Sequence, residues 1–374
     1  MKTLFPIISV FVVSLGGSAA ILARAETAPT LEIGSPAPDF KLIGIDGRTY
    51  RLESFKKAKI LAIIFTANHC PTAQAYEDRI MKLESDYQSR GVVIVCVSSN
   101  NPEALRLDEM GYTDLGDSFK DMKVRAKERG FRFCYLYDGD RQSAAKTYGP
   151  VSTPHVFIFD EARRLRYVGR VDDSEKVEKV TISDARNALE ALLAGKPVPV
   201  EKTKTFGCSI KWAYKKESAD EALKRWAQEP VALEPIDAEG IRRLTANASD
   251  KLLLLNVYAS WCGPCQSEFP ELIAINRMYR NREFEMATLS ADSPDRREKV
   301  LSFLKKNEAS TKNAIFNTDD KYALIDAVDP KWEGGLPYTL LIKPGGEILY
   351  SHLGEIDPLE LKKAIVGVLG RYFK

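Results

Sequence analysis

Asn256-Val257-Tyr258-Ala259-Ser260-Trp261-Cys262-Gly263-Pro264-Cys265 is the stretch on which the reading of this chain turns. The apolar run Leu252 to Leu255 feeds into it, and Phe269, Leu272, Ile273 and Tyr279 recur at helical spacing after it. The pattern predicts a buried strand, an exposed dithiol and an amphipathic helix. Cys262 then stands at the helix N-terminus, where unpaired backbone N–H groups and the helix dipole favour an anion. A thiolate is such an anion. Thiols so placed in Cys-x-x-Cys motifs have pKa values lowered to roughly 3.5–7.5, which supplies an attacking thiolate at neutral pH. Cys265, one turn further on, is positioned to attack the resulting mixed disulfide and release the partner.

These residues resemble the thioredoxin superfamily, in which Trp-Cys-Gly-Pro-Cys follows a strand. Leu336-Pro337-Tyr338, followed by the apolar Thr339 to Ile342, is similar to that family's cis-proline loop and the strand after it. The resemblance implies that Trp261 and Pro337 contact the substrate. Half a zinc site is the competing reading of Cys262 and Cys265. It needs two more ligands, and the chain offers only His69, His155 and His352 and no second Cys-x-x-Cys. Neither a metal nor an organic cofactor is expected.

The first half of the chain contains a degenerate copy of the same pattern. The apolar run from Lys59 to Phe65 ends at Thr66-Ala67-Asn68-His69-Cys70-Pro71-Thr72-Ala73, and Tyr76, Ile80, Leu83 and Tyr87 then share a helical face. Laid on the later site, Cys70 matches Cys262, Ala73 matches Cys265, His69 matches Trp261, and Thr153-Pro154-His155 mirrors Leu336-Pro337-Tyr338. This self-similarity predicts two tandem α/β units of one fold, each a mixed β-sheet flanked by helices. The first spans residues 26–212, a linker with a short helix spans 213–235, and the second spans 236–374.

Gly34-Ser35-Pro36-Ala37-Pro38-Asp39-Phe40, Asn68-His69-Cys70-Pro71, Gly169-Arg170-Val171-Asp172-Asp173 and Gly207-Cys208-Ser209-Ile210-Lys211-Trp212 resemble the peroxiredoxin-like redoxins. That resemblance implies a redox-active Cys70, with Pro154 and His69 beside the substrate, and an antioxidant activity toward peroxides. The chain departs from the peroxiredoxin pattern at one point. The threonine those proteins carry three residues before the cysteine is replaced by Ala67, and Thr66 lies one position further away. Ala73 cannot resolve Cys70, so Cys208, in a tail beyond the proline-stiffened Lys196 to Val200 and outside the expected core, is the candidate partner. Gly207 permits its close approach. A solitary surface thiol is the alternative for Cys208. Cys96 and Cys134 read as small buried hydrophobes. His69 either hydrogen-bonds near Cys70 or merely packs, and His155 either faces the same site or fills the strand.

Asn256 stands where cytosolic thioredoxins carry a buried aspartate. Glu268, three residues beyond Cys265, resembles the glutamate of secreted thioredoxin-like disulfide reductases and is the candidate proton acceptor for the resolving thiol.

The chain has 374 residues, with 54 basic and 52 acidic residues and a net charge of +2. No stretch clusters arginines with aromatics, so no nucleic-acid partner is expected. Lys2, the apolar run from Leu4 to Leu22 and Ala23-Arg24-Ala25 read as a signal peptide over residues 1–25. An uncleaved membrane anchor is the alternative, weakened by Pro6, Gly16 and Gly17, and it is the one route to membrane contact. Export places the thiols in the periplasm or outside the cell, where disulfides persist unless electrons are delivered.

The expected function is therefore an exported thiol-disulfide oxidoreductase acting through Cys262 and Cys265 on protein disulfides. Electrons would come from a membrane donor, and the dithiol would be coupled to an antioxidant site at Cys70. The alternative is a copper-binding or partner-binding module built on Asn68-His69-Cys70. Six methionines in the whole chain and no local Cys-x-x-x-Cys argue against copper.

Overall fold

The computed structural model describes residues 29–373, so the signal-peptide reading of residues 1–25 lies outside the described residues. Among the described residues fifteen strands run in chain order. They are β1 (Lys41–Gly44), β2 (Thr49–Arg51), β3 (Ile60–Thr66), β4 (Val92–Ser98), β5 (Cys134–Tyr137), β6 (Ser152–Thr153), β7 (His155–Phe159), β8 (Leu165–Gly169) and β9 (Cys208–Ser209), then β10 (Glu234–Ile236), β11 (Leu252–Tyr258), β12 (Phe284–Ser290), β13 (Lys312–Phe316), β14 (Tyr338–Ile342) and β15 (Ile348–Leu353). The α-helices are α1 (Pro71–Tyr87), α2 (Phe119–Arg129), α3 (Ser143–Tyr148), α4 (Asp184–Leu193), α5 (Lys216–Ala227), α6 (Ala238–Thr245), α7 (Gly263–Tyr279), α8 (Arg297–Lys306), α9 (Lys321–Val328) and α10 (Pro358–Leu369).

Two sheets carry the fold, with orders β2-β1-β5-β4-β3-β7-β8 and β10-β13-β12-β11-β14-β15. Their centres match strand for strand. In the first, β5, β4 and β3 are parallel and β7 and β8 antiparallel; in the second, β13, β12 and β11 are parallel and β14 and β15 antiparallel. The predicted repeat is therefore present at the level of topology.

The centre of each sheet is buried on both faces because helices cover both sides, which is why β3 and β11 read as unbroken apolar runs. Alternate residues serve opposite cores. Ile60, Ala62 and Ile64 pack with Tyr76 and Ile80 of α1, whereas Leu61, Ile63 and Phe65 pack with Tyr148 and Phe157. In the second sheet Leu252 and Leu254 pack with Leu272 and Ile275 of α7, while Leu253, Leu255 and Val257 share the other face with Leu340 of β14 and pack with Leu324 of α9 and with Trp332. α1 and α7 both begin with a cysteine N-cap and a proline in the first turn, where its missing N–H costs nothing.

Three segments depart from what their composition suggests. The tail after Lys196 lies against the first sheet rather than outside it. The Thr203 N–H donates to the Val168 carbonyl and the Val168 N–H to the Glu201 carbonyl, β9 pairs with β6, and Ile210 and Trp212 are buried in the core. Residues 213–235 contain α5, whose Trp226 is buried and lies against the Arg277 and Arg280 guanidiniums. The polar stretch 100–130 carries α2 and a loop that docks on the second half. There Tyr279 Oη donates to the Thr113 carbonyl at 2.7 Å, Arg282 donates to the Gly111 carbonyl at 2.8 Å, and Arg371 makes a two-pronged pair with Asp114 at 2.6 and 2.9 Å. Among the described residues no helix is long and apolar enough to cross a membrane.

Candidate functional site

At the end of β11 the chain turns into α7, and Cys262 and Cys265 are joined there as a disulfide with their Cα atoms 5.3 Å apart. The Cys265 N–H donates to Cys262 Sγ at 3.3 Å, so the first turn of the helix points a backbone donor at that sulfur. Cys262 retains 7% exposure and Cys265 none, which makes Cys262 the sulfur an incoming molecule can reach. Asp292 holds the preceding loop by accepting from the Ser260 N–H at 2.7 Å and its hydroxyl at 2.8 Å. The Leu336–Pro337 bond is cis, and Pro337 is buried at the start of β14. Trp261 is 56% exposed and borders a groove of about 350 Å³ that also meets Tyr322, Ile325, Trp332 and Leu336.

Glu268 lies one turn deeper and is only 3% exposed. Its Oε1 accepts from Asn256 Nδ2 at 2.9 Å and its Oε2 from the Ile356 N–H at 2.9 Å. Burial pushes its carboxyl above the ordinary glutamate value, and those two hydrogen bonds offset this only in part. Asn256 thus occupies the strand position beside the dithiol without a charge of its own and ties Glu268 to Thr339.

The first half repeats the geometry with different chemistry. Cys70 caps α1, the Ala73 N–H donates to its Sγ at 3.3 Å, and the Thr153–Pro154 bond opposite is cis. Cys70 is fully buried, Pro154 is buried, and Cys208 packs directly on Cys70 together with Ala67 and Ala73. All four cysteines outside the second-half disulfide are free thiols.

His69 is buried, and its Nδ1 meets Asp117 Oδ2 at 2.5 Å. Asp117 also accepts from the Asn68 and His69 N–H groups and from Asn100 Nδ2. Burial works against a charged imidazole, but the Asp117 carboxylate and the neighbouring Cys70 outweigh it and raise the His69 pKa. Burial likewise opposes the Cys70 thiolate. The Cys208 thiol, the His69 charge, Thr153 and the Ala73 N–H together bring its pKa below the ordinary thiol value. Cys208 moves the other way, raised first by its hydrogen bond to Cys70 and then by burial.

The remaining sequence candidates fall away from both centres. His155 is buried against Phe157 and its Nδ1 accepts from the Val151 N–H; burial lowers its pKa to about 4. Cys96 is wholly buried, as its setting predicts. Cys134 is only partly so, and burial raises its thiol to about 12. Asp117 and Asn100 were not legible as site residues, because the stretch 100–130 carries no periodic or motif signal. Among the described residues no cluster of histidine, cysteine, aspartate or glutamate is arranged to hold a metal ion.

Two α/β units, each delivering a cysteine from the end of its central strand to a helix N-terminus opposite a cis-proline, define a tandem protein of the thioredoxin superfamily. The family model described as Redoxin matches residues 32–189 and 237–365, and the chain belongs to that family. Among curated proteins, it is 28% identical over 124 residues to the thiol:disulfide interchange protein DsbE of Escherichia coli, covering 33% of this chain and 61% of that protein. It is 28% identical over 136 residues to the thiol-disulfide oxidoreductase ResA of Halalkalibacterium halodurans, covering 36% of this chain and 73% of that one. The matched stretch thus spans less than two thirds of the E. coli relative. A solved structure of an uncharacterized conserved protein from Geobacillus kaustophilus is 38% identical, covers 48% of this chain and 92% of that one, and has a TM-score of 0.44.

Proposed function

We propose that the protein is an exported thiol-disulfide oxidoreductase that reduces protein disulfides through Cys262 and Cys265. The observation that carries this reading is the Cys262–Cys265 disulfide at the start of α7, with the reachable sulfur beside the Trp261 groove. In the reduced protein the Cys262 thiolate attacks a partner disulfide, forming a mixed disulfide and releasing one partner thiolate. Cys265 gives its proton to Glu268 and attacks Cys262 Sγ. The partner leaves as a dithiol, and the Cys262–Cys265 bond forms again. A membrane electron donor restores the dithiol.

Cys70 and Cys208 form, in this reading, a second centre that cycles between dithiol and disulfide and receives electrons from the first. The support is their direct packing and the ionised character of Cys70 beside His69. The surroundings of the two centres are separate. Cys262 packs with Tyr258, Phe269 and Val300, and α7 carries it about 25 Å from the Tyr279 contact with the first half, at 1.5 Å per residue. Exchange needs sulfur against sulfur, so coupling runs between two chains or after the contact at Asp114 and Arg371 has opened. Copper binding at Asn68-His69-Cys70 has less support, since His69 Nδ1 is already engaged by Asp117.

The test is reduction of insulin by the mature protein, together with consumption of hydrogen peroxide, in wild type, Cys70→Ser and Cys262→Ser. Insulin reduction is expected to vanish only in Cys262→Ser. Peroxide consumption lost in both variants supports an antioxidant centre fed by the second half; none in wild type confines the activity to disulfides.

A further inference from the structure

The two thiols of the first centre differ in access and in acidity, and both differences point the same way. Cys70 has no exposed surface, and every residue from Leu61 to Ala73 is buried. Cys208 is partly exposed between two exposed neighbours, Gly207 and Ser209. The strand that carries it is laid over Cys70 by Gly207, whose φ is +128°. A Cβ there would stand 2.1 Å from the Thr153 carbonyl oxygen, so no larger residue permits this approach. Cys208 pairs with Thr153 in the β6–β9 ladder, and the same Thr153 carbonyl oxygen lies 3.3 Å from Cys70 Sγ. Whatever arrives from solvent therefore meets Cys208 first.

We propose that Cys208, rather than Cys70, is the sulfur through which the first centre exchanges electrons with other molecules, Cys70 being the internal thiol that makes and breaks the bond to it. The proposal rests on the reading that these two cysteines cycle through a disulfide, and it reverses the order of attack the sequence suggests. In the reducing direction an incoming thiolate attacks Cys208 Sγ, the Cys70–Cys208 bond breaks, and its electron pair leaves on Cys70. The new bond joins the reductant to Cys208. A second thiolate of a dithiol reductant then attacks the reductant's own sulfur. Cys208 leaves, takes up a proton, and the reductant departs as a disulfide. Two electrons have moved from dithiol to disulfide, and no other reactant is required.

Leaving-group chemistry favours this direction as much as access does. The thiol of lower pKa leaves faster, and the Cys70 sulfur has His69 beside it and the Ala73 N–H aimed at it at 3.3 Å, both of which favour its thiolate when the bond to Cys208 breaks. Attack at the other sulfur would require entry into a filled core. By microscopic reversibility, a partner disulfide oxidises the centre through a mixed disulfide on Cys208, which Cys70 then displaces. His69 and Asp117 are positioning residues in this scheme, since they act through Cys70.

The test uses the full chain carrying Cys262→Ser and Cys265→Ser, so that only the first centre can form the disulfide. The protein is oxidised with diamide, treated with glutathione, quenched in acid and mapped by peptide mass spectrometry. The expected result is a Cys70–Cys208 peptide before glutathione and, after it, about a tenfold or greater excess of the glutathione adduct on Cys208 over Cys70. An adduct mainly on Cys70, from a protein that did form the Cys70–Cys208 bond, overturns the inference alone. Absence of that bond after diamide overturns the inference and the two-thiol reading beneath it.

Discussion

Replacing Asp117 by asparagine strikes the buried pair that holds Cys70 as a thiolate. In the native protein Asp117 Oδ1 accepts from the Asn68 and His69 N–H groups at 2.7 and 3.2 Å, and Oδ2 accepts from Asn100 Nδ2 at 2.8 Å while facing His69 Nδ1. If the amide oxygen keeps the two backbone donors, its NH2 group meets the Asn100 NH2 group, donor against donor. Asn100 cannot turn round to relieve this, because its Oδ1 already accepts from the Lys211 N–H at 2.8 Å. Breaking a buried ion pair from one side costs about 3–5 kcal/mol, and that is the loss expected in urea unfolding at pH 6.

The pH dependence follows from the signs of the two shifts. The His69 pKa is raised by folding, so its contribution is complete below the unfolded imidazole value of about 6.5 and fades as pH rises through the folded value. The Asp117 pKa is lowered, so its contribution is complete above about 3.9 and fades as pH falls through the folded value. The difference between wild type and Asp117→Asn should form a plateau from about pH 4 to 6.5 and shrink on both sides. In a Cys262→Ser/Cys265→Ser background, the ultraviolet thiolate absorbance of Cys70 should titrate at higher pH in the Asp117→Asn protein. A stability difference below about 1 kcal/mol, with the thiolate titration unmoved, would refute the reasoning.

Glu268→Gln should slow release of the mixed disulfide about tenfold or more in single-turnover quenched flow. The wild-type rate should fall as pH drops through the raised Glu268 pKa, and the variant should lose that limb; equal rates and equal profiles would remove Glu268 from the mechanism. Gly207→Ala should push β9 off Thr153, so that diamide no longer joins Cys70 to Cys208 and Cys70 becomes open to iodoacetamide. Undiminished crosslinking would show that the close approach is not what brings the two sulfurs together.

Local signals carried much of the fold and the second centre. β11 could be read because both of its faces are buried, and α7 because Phe269, Leu272, Ile273 and Tyr279 all point inward. The match between Cys70 and Cys262 was legible for the same reason, since each follows an all-apolar strand and caps a helix. Gly207 gave a true hint of close approach beside Cys208.

What escaped the sequence depends on distant residues meeting. Asp117 reaches His69 across 48 positions, and Arg371 reaches Asp114 across 257, with nothing periodic in either stretch to mark it. The resemblance carried by Asn68-His69-Cys70-Pro71 set His69 beside the substrate, while its alignment with Trp261 left room for mere packing. The two aligned side chains ended in opposite environments, His69 buried and Trp261 exposed. The tail beyond Lys196 looked like a connector because prolines and charges dominate it. Its few apolar residues, Ile210 and Trp212, are what anchor it to the core.

If Cys262 attacks and Cys265 releases, removing Cys265 traps the intermediate. The Cys265→Ser protein is mixed with a disulfide-bonded protein substrate, and covalent adducts are resolved without reductant and mapped. A stable mixed disulfide through Cys262 is expected, absent from Cys262→Ser. An adduct through Cys265 in the Cys262→Ser protein, with none through Cys262 in Cys265→Ser, would contradict that order of attack.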